Sequence, residues 1–191
     1  MRTFHRALRR AGLPVRMTEG FNRRPRVVFP HALEVGVTSL DEAVEVELDS
    51  WVAPAEFARR LSEELPDDLP VTGVELAAPR RQSSVAIEAR YDAELSDRDA
   101  ERAGEALDAF LAAESWPIER RQHNGVVKAI DLRPHVISLA VEGRVLHLHM
   151  RLGLPRAARP REVLAALLEC PVGELLGVPL TKTQTVLTTP S

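Results

Sequence analysis

The second half of the chain changes its hydrophobic period in a fixed order, and that order leaves few folds open. Val85–Tyr91 reads as a strand, and Ser96–Ala113 switches to helical spacing, with Ser96 placed to cap the helix and acids in its first turn. Pro117–Gln122 and Val126–Leu132 read as strands joined at His123-Asn124-Gly125, where Asn-Gly is a strong hairpin signal. Val136–Val141 and Arg144–Met150 follow, joined by Glu142-Gly143. A helix over about 160–169 then opens on Pro160, and Pro179–Leu187 supplies a last strand. Strand, helix, antiparallel strands, helix, strand is the split βαβ of a ferredoxin-like domain.

The first half repeats much of this order. In T-F-H-R-A-L-R-R-A the residues Phe4, Ala7, Leu8 and Ala11 recur at helical spacing, Gly12 stops the helix and Pro14 follows. Val15–Thr18 and Arg26–Pro30 read as short extended pieces around the turn G-F-N-R-R-P. There Gly20 and Asn22 tolerate positive φ, and Pro25 biases Arg24 away from helix. Glu42–Asp49, E-A-V-E-V-E-L-D, alternates with its acids outward. Pro54 opens a second helix that Pro66 closes, and Val71–Ala78 reads as a strand. The expected class is α+β: two ferredoxin-like halves in tandem, residues 1–79 and 80–191, joined at the linker P-R-R-Q-S-S, the first without its N-terminal strand. Loss of that central strand would leave its neighbours with unpaired edges, so either the chain begins inside its first half or another segment fills the gap.

With 191 residues and 45% apolar content the chain can fill a core in either one or two domains. The lone cysteine, Cys170, excludes an internal disulfide framework and any multi-cysteine zinc or iron–sulfur site, so no cofactor is expected on this chain. No apolar run approaches the roughly 20 residues of a membrane span, and the N-terminus lacks the apolar stretch of a secretory signal, which predicts a cytoplasmic protein with no membrane partner.

Charge is more informative. Residues 1–30 hold eight arginines (2, 6, 9, 10, 16, 23, 24 and 26) against one acid, Glu19, and so carry +7, leaving −10 for the remainder of a chain whose net charge is −3. A basic patch set against an acidic body suits an anionic ligand or an acidic partner surface. Opposite the apolar face of the first helix, Arg2, Arg6, Arg9 and Arg10 make a nearly continuous basic stripe, which is also what a solvated face of a chain with 23 Arg and 2 Lys would show.

Six histidines invite a metal reading, but only His147 and His149 are close; two apart on a strand, they share a face and would need ligands from elsewhere, so no metal site is expected. His5 and His31 neighbour the arginine cluster and are candidates for acid/base work at a phosphodiester. No G-x-x-x-x-G-K-[ST], G-x-G-x-x-G, C-x-x-C or G-x-S-x-G occurs. Aromatics are only 4%, too few for base stacking to be the main source of affinity for a single strand. What survives is recognition of phosphate or carboxylate by arginine forks, with Arg2, Arg6, Arg9, Arg16, Arg24 and Arg26 as contacts. Asn22 is a further donor or turn residue, and Gly20, Phe21 and Pro25 set the turn.

The runs F-H-R-A-L-R-R-A-G-L-P, G-F-N-x-x-P-R-x-x-F and L-x-x-G-V-x-S-x-x-E within residues 4–42 closely resemble the radical-SAM-linked family, a domain of unknown function. D-L-R-P at Asp131–Pro134 and R-P-R-E-V-L at Arg159–Leu164 are further signatures of it. The resemblance implies two ferredoxin-like halves, distantly similar to CRISPR RNA-processing endonucleases. It also implies a radical SAM protein as partner, encoded nearby or fused. Members usually have a strand and a Ser-His-Leu-Asp-like segment before the first helix, and proline followed by a basic residue or histidine where Arg23-Arg24 stands here. Three functions follow as expectations: a non-catalytic accessory domain that binds RNA or another anionic substrate for the radical SAM partner, a metal-independent endoribonuclease using His5 or His31, or a docking domain for the radical SAM subunit.

Overall fold

The structure, a computed structural model, describes residues 2–77, 83–121 and 125–188. In chain order its first elements are α1 (Arg2–Arg10), β1 (Val27–Val28), β2 (Thr38–Ser39), β3 (Glu45–Val46) and α2 (Pro54–Ser62). They are followed by β4 (Val85–Glu94), α3 (Asp97–Ala112), β5 (Pro117–Arg121), β6 (Val127–Asp131), β7 (Val136–Glu142), β8 (Val145–Arg151), α4 (Pro160–Leu167) and β9 (Leu180–Thr188). The architecture is α+β. Two compact units divide the chain: Met1–Pro30 with Val44–Ser83, and His31–Ala43 with Ser84–Ser191. Among the described residues no helix is long and apolar enough to cross a membrane.

In the first unit, α1 buries Ala7 and Leu8 against Phe57 and Leu61 of α2. Burying leucines such as Leu8 and Leu61 stabilises by about 1.5–3 kcal/mol each. The helix ends where the sequence places its stop: Gly12 sits at φ 58, and Arg60 from α2 donates its Nε to the Ala11 carbonyl at 2.8 Å. Phe4 meets Phe29 edge-on, 5.9 Å between centroids, fixing the helix to the chain that follows β1. Strand content is sparse. β1 pairs with β3 antiparallel, Val27 opposite Val46, and isolated bridges join Val15 to Leu48 and Met17 to Pro25.

Two expectations for this half need correction. The alternating run Glu42–Asp49 is a strand only at Glu45–Val46, because Glu42 and Ala43 belong to the other unit. Val71–Ala78 is not a strand over 71–77; Val71 and Val74, three apart, both pack on the core, a spacing a strand cannot deliver to one face.

The second unit carries a 5-stranded sheet in the order β2-β9-β4-β8-β7. β4 is antiparallel to both β8 and β9, and β7 to β8. The order β9-β4-β8-β7 is that of the split βαβ, with α3 crossing from β4 to β7 and α4 from β8 to β9. Alternate residues Ala89, Tyr91 and Ala93 of β4, and Leu146, Leu148 and Met150 of β8, share a core with Ala103 and Phe110 of α3 and Val163 and Leu164 of α4. Ser96 caps α3 by accepting from the Asp99 amide. The hairpin β5–β6 is inserted between α3 and β7, though residues 122–124, where its His123-Asn124 turn was read, lie outside the described residues, as does most of the linker read at 79–84. The fifth strand was not foreseen: β2, from the first half of the sequence, runs parallel to β9 with Thr38 opposite Thr181 and Ser39 opposite Lys182.

Candidate nucleic-acid interface

Helix α1 turns Ala7 and Leu8 inward and leaves Arg2, Arg6, Arg9 and Arg10 exposed, with His5 partly covered among them. This arrangement works against the helix. Arg2 and Arg6, and Arg6 and Arg10, stack like charges four residues apart, and Arg2 sits at the positive end of the helix dipole with no acid in the first turn. Arg2, His5, Arg6 and Arg9 line one shallow groove. Burial and then neighbouring positive charge, Arg9 and Arg24 included, hold the His5 pKa below its ordinary value. Arg24 therefore belongs to the same electrostatic neighbourhood as the helix stripe.

Arg24 comes from a tight hairpin. The Thr18 amide donates to the Arg24 carbonyl at 2.8 Å, the Arg24 amide to Thr18 Oγ1 at 3.0 Å, and the Arg26 amide to the Arg16 carbonyl at 2.7 Å. Gly20, at φ 110, takes the bend that a side chain would disfavour. Pro25, on the returning arm, is buried. Phe21 takes no part in holding the turn: its side chain is fully exposed, forgoing about 1.5–3 kcal/mol of burial. Asn22 is also exposed, and its side chain makes no hydrogen bond among the described residues.

The arginines fall into two groups. Arg16 and Arg26 both donate to Glu47, at 2.6 Å to Oε1 and 3.0 Å to Oε2, and Asp49 lies 3.9 Å from Arg16. The bond from Arg26, joined by that from Arg16, holds the Glu47 carboxyl below its ordinary pKa against the opposing effect of burial. By contrast, among the described residues no carboxylate lies within ion-pair distance of Arg2, Arg6, Arg9, Arg23 or Arg24.

His31 belongs to the second unit, beside a pair that the sequence reading missed. Lys182 on β9 is buried, at 1% exposure, and reaches Glu42 at 2.5 Å. Its signal was one of only two lysines in the chain, standing at an inward position of the strand L-T-K-T-Q-T-V-L. Burial, and then Lys182, depress the His31 pKa, with Glu42 opposing, and His31 Nδ1 is buried without a hydrogen-bond partner among the described residues. Tyr91, opposite Lys182 across β4–β9, has its phenol pushed well up by burial and by the charges of Glu34 and Glu42.

The two later sequence signatures are scaffold. Asp131 accepts from Ser115 Oγ at 2.8 Å and from the Trp116 and Arg133 amides at 2.7 and 3.1 Å, holding β6 in place. Buried Arg161 donates to the carbonyls of Gly36 at 2.7 Å, Leu175 at 2.5 Å and Val178 at 3.1 Å. Glu162 pairs with Arg120 and accepts from the Arg159 amide at 2.9 Å, closing the first turn of α4.

Residues 1–162 match the model of a family described as an uncharacterized protein conserved in bacteria (DUF2344). The chain belongs to this family. No individual curated protein matches it. The DUF2344 match takes in the arginine stripe, the hairpin and the segment that carries His31 and Glu42, while Lys182 lies beyond its end. Elsewhere in this DUF2344 chain, the histidines read as a weak metal candidate are paired with carboxylates: His147 Nδ1 lies 2.8 Å from Asp92 and His149 Nε2 2.8 Å from Glu88. Among the described residues no three His, Cys, Asp or Glu side chains gather where they could hold a metal ion.

Proposed function

We propose that this DUF2344 protein is an accessory protein that binds RNA through the face formed by α1 and the 16–26 hairpin, on behalf of a radical SAM partner. The observation that carries the reading is the unequal treatment of the arginines. Arg16 and Arg26 are both paired with Glu47, whereas among the described residues Arg2, Arg6, Arg9 and Arg24 have no carboxylate within ion-pair distance. Like charges kept together on an exposed helix at the expense of its stability suit repeated phosphates, each a fork for a guanidinium. The radical SAM half of the proposal rests on the resemblance of residues 4–42, and with one cysteine this chain leaves any cluster chemistry to the partner.

The test is binding of labelled cellular RNA across a salt series, with Arg6→Glu/Arg24→Glu as the variant. Wild-type affinity falling steeply with salt, and a shallower slope in the variant, supports RNA binding. A folded chain that binds no RNA but captures the radical SAM subunit through the same arginines replaces it with docking.

One observation favours a second reading. Burial and then neighbouring positive charge lower the His5 pKa inside the arginine groove, which favours the neutral imidazole that a general base needs. RNA cleavage indifferent to chelator and lost in His5→Ala would make the protein a metal-independent ribonuclease.

A further inference from the structure

Phe21 stands at the tip of the hairpin, its side chain fully exposed, between Glu19-Gly20 on one side and Asn22-Arg23-Arg24 on the other. The chain has few aromatics, and most are used internally: Phe57, Tyr91 and Phe110 are buried, and Phe4 packs on Phe29. The loop does not need Phe21. Its shape is set by the Thr18–Arg24 hydrogen bonds, by Gly20 at positive φ and by buried Pro25.

An exposed ring in a loop whose two guanidiniums have no carboxylate partner among the described residues narrows what covers it. An acidic protein surface would satisfy Arg23 and Arg24 but offers the ring nothing. A lipid surface favours a continuous apolar patch, and the residues flanking Phe21 in the loop are Gly20 and Asn22. An unpaired nucleotide presents both complements at once, a flat π-face and a phosphate one bond series away. In a duplex the base faces are covered by their neighbours, so only a single strand meets this geometry.

We propose that Phe21 is a stacking platform for one unpaired base of single-stranded RNA, with the flanking phosphates taken by Arg23 and Arg24. The inference rests on the RNA-binding reading above and refines it. Phosphate contacts remain the larger part of the affinity, as the scarcity of aromatics requires, and Phe21 adds selection for unpaired strands.

The experiment compares wild type, Phe21→Ala, Phe21→Trp and Arg24→Glu for binding of a short single-stranded RNA, the same sequence as a duplex, and anionic phospholipid vesicles, each RNA across a salt series. Phe21 touches nothing that folds the hairpin, so thermal melts of its variants should superimpose on wild type. Phe21→Ala is expected to weaken single-strand binding about 5- to 100-fold with an unchanged salt slope, and to leave duplex binding unaltered. Phe21→Trp should restore or exceed wild-type affinity, and the fluorescence it adds over wild type should be quenched by the single strand. Arg24→Glu should lower the salt slope. Equal single-strand affinity in wild type and Phe21→Ala overturns the stacking proposal while leaving RNA binding intact. So does duplex binding as tight as single-strand binding, or Phe21-dependent capture by the vesicles. No RNA binding by the wild type overturns both the stacking proposal and the reading beneath it.

Discussion

Arg16 and Arg26 grip the same carboxylate, Glu47, and the backbones of the three residues close a ring. The Arg16 amide donates to the Glu47 carbonyl at 2.8 Å, the Glu47 amide to the Arg26 carbonyl at 3.1 Å, and the Arg26 amide to the Arg16 carbonyl at 2.7 Å. Three short extended segments are thereby joined side chain to side chain and backbone to backbone, which lets a unit with few ladder bonds hold a hairpin rigidly.

Glu47→Gln keeps the backbone ring and removes the negative charge that the two guanidiniums share. Because the carboxylate is exposed, the melting temperature should move little. Binding of single-stranded RNA should tighten at low salt, with a salt slope steeper by up to about 1.4, two added phosphate contacts at about 0.7 each. Salt-dependent binding assays on wild type and variant check this.

Lys182→Met strands Glu42 beside a newly apolar wall. The loss should be about 3 kcal/mol, the low end for breaking a buried pair, since Glu42 keeps 32% of its side-chain surface in water. The double change Lys182→Met/Glu42→Gln should recover much of it. Urea denaturation of the single and double variants measures both.

Arg161→Met leaves the Gly36, Leu175 and Val178 carbonyls without their shared donor. About 3 kcal/mol or more of stability should be lost, with the amide of Leu40, which bonds the Lys182 carbonyl, among the groups that open first. Native-state hydrogen exchange, read at Leu40 and compared with the core of β4 and β8, distinguishes this local opening from global weakening.

Acid should begin to weaken the fold through three histidines. His5, His31 and His135 have folded pKa values below the ordinary 6.5, so the native state favours their neutral forms. Their contribution is complete above 6.5 and is lost as pH falls through 6.5 toward the folded values. The melting temperature should therefore drop between about pH 7.5 and 5.5, and His31→Gln should flatten part of that slope. Glu34 acts in the opposite sense: burial raises its carboxyl above 4.5, so its contribution is present at lower pH and fades as pH rises through the raised value.

What the sequence announced well were boundaries with a local chemical cause. Gly12, Ser96 and Pro160 terminate, cap and open helices through their own backbone or side chain, and each sits at its expected place. β2 was invisible because two residues have no period, and a parallel partner far along the chain leaves no mark on either sequence. Glu42 was misplaced for a related reason: alternation tells which face a residue takes but not which sheet it joins, and its acid turns to Lys182. At the candidate interface, charge spacing placed Arg2, Arg6 and Arg9 on one exposed stripe. Nothing in the spacing indicated that Glu47 would take two of the arginines, or that Phe21 would face outward.

Residues 31–43 leave the first unit, deliver the Gly36 carbonyl to Arg161 and the Glu42 carboxylate to Lys182, and the chain then goes back to complete the first unit. No single crossover point therefore separates a whole copy of one unit from a whole copy of the other. A joint near residue 84 would carry Lys182 and Arg161 into a new gene without the groups that neutralise and cap them. A cut near residue 84 thus parts each of these side chains from its partner, and the piece that follows it lacks part of its unit.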